Sequence, residues 1–183
     1  MKKLKFLLPL LTAIIFISCS SDDKPTPVNE EELITSVITT LTGAGATYTL
    51  SSRDLDGDGP NAPIVSDAVT LAANTTYTGT VTFLNEMVNP AENLNTEINE
   101  EAAEHQIFYS LQNATFTYTD FDENGKPVGL TFTLTTGNNA LTTNFSVILR
   151  HLPNKTAADV SNGDITNAGG STDAQVAYPI IIQ

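Results

Sequence analysis

The chain has 183 residues, a formal net charge of −13, one cysteine and no tryptophan. So acidic a balance repels phosphate backbones and anionic headgroups, which argues against nucleic acid as a partner. A single cysteine excludes an internal disulfide. Hydrophobic residues make up 40% of the chain against 16% charged, so a packed core is expected rather than disorder.

The first element is a leader. Lys2, Lys3 and Lys5 precede an almost unbroken apolar run from Phe6 to Ile17, and small Ser18 closes it. This pattern predicts a secretory signal over 1–18, too short for a permanent transmembrane helix. Cys19 follows at once, and a signal that ends directly before cysteine resembles that of bacterial lipoproteins. The resemblance implies that Cys19 becomes the new N-terminus and carries the lipid, anchoring the protein in the membrane by its acyl chains. Phe16 departs from the more usual Leu at that site. The acidic "CSSDDK" is similar to the start of Bacteroidota lipoproteins, which implies an outer-membrane location, with display at the cell surface. Residues 19–32, "CSSDDKPTPVNEEE", are polar and proline-containing, and predict a flexible acidic tether. About 165 residues follow the signal, enough for one domain at 33–183.

From Leu33 the texture changes. "LITSVITTLTG" and "ATYTLSS" alternate and are rich in β-branched residues, predicting two strands about the turn "GAGA". In "VTLAANTTYTGTVTFLNE", Tyr77, Gly79, Val81 and Phe83 fall on one side and Thr76, Thr78, Thr80 and Thr82 on the other. Period two marks a half-buried strand. Residues 91–105 lack alternation and are rich in Glu and Ala, predicting a short helix or mobile insert. "IFYSLQ", "ATFTYTDF", "VGLTFTLTTG" and "NFSVILRHL" return to strand patterning, with a tight hairpin expected at Asn124-Gly125. A polar loop over 154–174 precedes a last strand, "QVAYPIIIQ", where Pro179 suits an edge. About eight strands without βαβ rhythm predict an all-β fold, an antiparallel β-sandwich of immunoglobulin-like or Greek-key type.

Two stretches carry possible ligands. In "RDLDGDGPNAP", Asp54, Asp56 and Asp58 alternate and glycine follows at 57 and 59. Such spacing begins a calcium loop, because a hard cation needs several oxygens and glycine lets the chain bend around it. The pattern then fails, with Ala62 and Val65 at its ninth and twelfth positions, and a plain turn explains the same residues. Asn61 or Asp67 could complete a Ca²⁺ site. In "TEINEEAAEHQ", a helix would put Glu97, Glu101 and His105 on one face. Glu101 and His105, joined by His151 from "LRHLPNK", could then hold a zinc or copper ion.

Catalysis has little support, since "GxSxG", "HExxH", a phosphate-cradling glycine loop and a cysteine nucleophile are all missing. With aromatics at 7%, only Tyr109, Tyr118 and Phe121 offer a modest stacking platform. The expectation is a non-enzyme: a lipid-anchored envelope protein capturing metal or nutrient beside an outer-membrane transporter. The alternative is a structural or adhesive surface lipoprotein without a small ligand.

Three blocks together, "RDLDGDGPNAPIVSDAVTLAANTTYTGTVTFLNE", "EEAAEHQIFY" with "FTYTDFDENGKPVGLTFTLTTG", and "LRHLPNK" with "NGDITNAGGSTDAQVAYPIIIQ", resemble a lipoprotein family of flavobacteria and their relatives. The resemblance covers nearly all of the chain after the signal and implies no agreed activity. Some members are labelled as a type 1 periplasmic binding fold. That fold needs two α/β lobes and a longer chain, and the strand pattern here contradicts it.

Overall fold

A computed structural model describes residues 33–57 and 59–183. The signal, Cys19, the tether and Asp58 lie outside the described residues.

Two sheets form a sandwich. Strands β1 (Ser36–Gly43) and β2 (Ala46–Arg53) make the first hairpin, turning through Ala44 and Gly45, both at positive φ (51° and 76°). Two left-handed central residues match the turn to the twist of the strands. β3 (Ile64–Val65) pairs with β2, and β5 (Thr76–Asn85) returns beside β1. The resulting order β3-β2-β1-β5 is a Greek key, in which the last strand comes back by a long connection to flank the first. β9 (Thr131–Thr136) and β8 (Ala114–Tyr118) extend this sheet, and short β6 (Glu92–Asn93) pairs with β5. The second sheet runs β4 (Val69–Leu71), β11 (Ser171–Ile182), β10 (Leu141–His151) and β7 (His105–Ser110).

Alternation explains the core. Tyr77, Val81 and Phe83 of β5 are buried while Thr76, Thr78 and Thr80 are exposed. Leu41, Leu50, Phe132 and Leu134 from the first sheet meet Ile107, Phe145, Leu149 and Tyr178 from the second. Gly79 lacks a side chain where a Cβ would overlap the Phe132 ring. The Tyr178 hydroxyl donates to the Val37 carbonyl at 2.9 Å and ties the sheets together.

Several expectations change. "VTLAANTTYTGTVTFLNE" is not one strand. It breaks at Asn74 (φ 48°) and sends β4 and β5 to different sheets. β4 runs parallel to β11, so the sandwich is antiparallel in every described pair but this one. Pro179 sits in a strand with two neighbours, yet β4 covers only Ile180–Ile182, and Pro179 falls just before it. Asn124 keeps negative φ. Only Gly125 is left-handed (φ 68°), in a three-residue loop closed by Lys126 and Asp122. The insert is a short helix, α1 (Asn95–Glu100), ending five residues before His105. Tyr109 and Tyr118 make no platform with Phe121. Tyr109 packs among Phe116, Phe132 and Phe145, while Phe121 stands exposed.

Candidate metal centre

One end of the second sheet carries buried polar side chains. β10 points Phe145, Val147, Leu149 and then His151 inward, all buried. The register pairs His151 with His105, so both imidazoles project from the same face, with ring centroids 4.6 Å apart. On the outer face, the segment after β10 folds back over β7. Val160 and Ala168 cover Phe108, and Gln106 Nε2 donates to the Val160 carbonyl at 2.8 Å. The end of β7 is therefore shielded on both sides, and His105 has no exposed surface.

A third residue enters from β11. Leu149 pairs with Ala174 and Arg150 with Thr172, which leaves Asp173 as an extra residue without a position in the ladder. Such a bulge re-aims a side chain. Simple alternation from Tyr178, through Val176 and Ala174, would turn Asp173 outward. The bulge puts Thr172 outside instead and leaves the Asp173 carboxylate inside, 1% exposed. Arg150 braces this irregularity by donating from Nε to the Gly169 carbonyl (3.1 Å) and from Nη2 to the Gly170 carbonyl (2.6 Å). Gly169 and Gly170 are both left-handed (φ 61° and 71°), and a Cβ on Gly170 would overlap the His151 carbonyl.

The three side chains converge. Asp173 Oδ2 lies 3.9 Å from His105 Nε2, and Asp173 Oδ1 lies 4.0 Å from His151 Nδ1. One ligand atom from each of His105, His151 and Asp173 falls within 4.8 Å of the others. Contacts near 4 Å are longer than hydrogen bonds. Zinc bonded at ~2.1 Å holds its ligand atoms about 3.4 Å apart at tetrahedral angles, so modest side-chain rotation would close the set around an ion.

The turn after α1 orients both rings. His105 Nδ1 is 3.2 Å from the Glu101 carbonyl. A carbonyl only accepts, so Nδ1 carries the proton, and in the neutral ring Nε2 keeps its lone pair toward Asp173. His151 Nε2 faces the Glu104 carboxylate at 3.6 Å, with Nδ1 toward Asp173. In each ring the outer nitrogen faces an acceptor from residues 101–104 and the inner nitrogen faces the carboxylate. Metal-bound histidines are held in this way.

The chain matches no family model, no curated protein and no solved structure.

His105 and His151 thus come together as the sequence suggested, but Glu101 does not join them as a ligand. Its side chain is exposed, and it contributes its carbonyl to His105. The helical i, i+4 spacing fails because α1 ends at Glu100 and His105 opens a strand. Asp173 was hidden in a stretch expected to be loop, and no local pattern announces a bulge.

The acidic loop follows β2. The Asn61 side-chain Nδ2 (2.6 Å) and backbone N–H (3.2 Å) both donate to Asp56 Oδ2. These hydrogen bonds, the side-chain one foremost, hold the exposed Asp56 carboxyl below its ordinary range. Asp54 follows β2 directly, with Oδ1 buried, and Asp67 is exposed beyond β3. Asp58 is outside the described residues, so the loop is described at two of its three aspartates.

Proposed function

We propose that the protein is a lipid-anchored envelope protein that captures a divalent transition-metal ion between His105, His151 and Asp173. The carrying observation is the paired orientation of the imidazoles, outer nitrogens toward Glu101 and Glu104 and inner nitrogens toward Asp173. Two nitrogens and one carboxylate suit zinc and its first-row neighbours rather than calcium, which takes oxygen alone, or copper(I), which prefers sulfur. Burial of both rings supports holding an ion rather than acting on an organic substrate. The anchoring half of the proposal rests on the lipoprotein-like signal ending at Cys19. A metal-capture protein so anchored would work beside an outer-membrane transporter.

Calorimetric titration of the purified chain with Zn²⁺ tests the binding. One ion per chain is expected, with binding much weakened in His151→Gln and in Asp173→Asn. No uptake by the wild type would leave a structural surface lipoprotein. Labelling cells with a fatty-acid analogue tests the anchor, and Cys19→Ala should abolish the label.

A further inference from the structure

The imidazoles are sealed, so an ion needs a way in. Asp173 belongs to two environments at once. Its carboxylate joins the histidine pair, and the residue also lines a cleft of about 460 Å³ between the start of β11 and the facing ends of β1 and β2. Thr35, Ser52, Asp54 and Gln175 line the same cleft, and neither histidine does.

Asp54 is the second carboxylate there. Its backbone N–H donates to the Thr35 carbonyl at 2.7 Å, which fixes the residue at the end of β2. Its Oδ1 is buried and accepts no hydrogen bond from the described residues. A buried carboxylate oxygen without donors is costly, and a passing cation relieves that cost. A cleft with the Asp54 carboxylate in its lining and the Asp173 carboxylate buried behind it also concentrates cations.

We infer that this cleft is the loading route of the metal centre, with Asp54 as a transient outer ligand that passes a divalent ion to Asp173. The inference rests on the metal reading of His105, His151 and Asp173. A transient ligand speeds entry and exit together and leaves the equilibrium unchanged.

Stopped-flow uptake of Co²⁺, followed by its visible absorption on coordination, tests the route. Asp54→Asn should slow loading and release about tenfold, with the final spectrum and dissociation constant those of the wild type. Gln175 is exposed at the cleft, so Gln175→Lys should fold normally and slow loading several-fold, more at low salt. Gln175→Met should not. Wild-type rates in both Asp54→Asn and Gln175→Lys would overturn the route while the metal centre stands. A changed spectrum in Asp54→Asn would make Asp54 a resident ligand and overturn it too. A wild type that gives no cobalt spectrum would remove the metal centre and the route with it.

Discussion

Two buried polar clusters sit in this sandwich and are built in opposite ways. Around Lys155 everything is closed. Its ammonium donates to the Ala102 carbonyl (2.6 Å), the Pro127 carbonyl (2.8 Å) and Asp122 Oδ2 (3.1 Å), which uses all three protons. Asp122 Oδ1 in turn accepts the N–H groups of Asn124 and Lys126, each at 2.9 Å. Around Asp173 the contacts with the histidines are near 4 Å, and two rings each turn one nitrogen toward a carboxylate. The first cluster is complete as it stands and pins the 122–127 loop to the segment after β10. The second gathers three metal-binding side chains about one point. Burial alone does not distinguish a structural lock from a ligand site; the chemistry of the gathered side chains does.

Breaking the closed cluster should have the largest effect. Lys155→Met leaves the buried Asp122 carboxylate without its cation, and removing one partner of such a pair costs about 3–5 kcal/mol. Urea unfolding should show that loss, whereas Lys155→Arg should recover part of it. The same cluster has a pH signature. Burial pushes the Asp122 carboxyl upward, but the Lys126 N–H and the Lys155 ammonium outweigh it and hold it below its ordinary 3.8. A depressed carboxyl stabilises the fold fully above that ordinary value, and the contribution is lost as pH falls through the lower folded value. Asp122→Asn should therefore flatten the decline in stability below about pH 4. An equally steep decline would assign it to other carboxylates.

Filling the histidine–aspartate cluster comes next. Zinc at a hundred times its dissociation constant should stabilise the fold by about 2.7 kcal/mol, read as a higher Tm that His105→Gln abolishes. Equal Tm with zinc and with chelator would place the cluster among the structural ones. Glu104 refines the comparison, because it touches His151 from outside. Glu104→Gln should weaken zinc about tenfold, within the range typical of groups that orient a metal ligand, while leaving metal-free stability unchanged, since Glu104 is 53% exposed.

The sandwich was legible because alternation is a property of short segments. β5 and β10 could be read from Tyr77, Val81 and Phe83 and from Phe145, Val147 and Leu149. The site was legible in part. His105 and His151 were the natural residues to pair, since the chain has only two histidines. Their partner was not, because Asp173 faces inward through a bulge in the pairing with β10, beside which Arg150 holds Gly169 and Gly170. Glu101 misled because a Glu/Ala-rich segment favours helix locally, whereas pairing with β10 draws His105 into a strand. Pairing partners are far apart in sequence, and no local window contains them.

The smallest effect belongs to the acidic loop. If Asp54, Asp56 and Asp58 take Ca²⁺ with a dissociation constant of ~1 mM, as extracellular sites do, then ~10 mM Ca²⁺ should add about 1.4 kcal/mol, raising Tm by about 3–6 °C. Asp56→Ala should remove that rise. An unchanged wild-type Tm leaves the loop a turn held by Asn61.

The most direct test of the central claim is X-ray absorption at the zinc edge of the loaded protein. A centre made by His105, His151 and Asp173 predicts a nitrogen and oxygen shell at ~2.0–2.2 Å with the outer-shell scattering of two imidazoles, reduced to one imidazole in His151→Gln. A shell of oxygen alone, or a wild-type shell with fewer than two imidazoles, would contradict it.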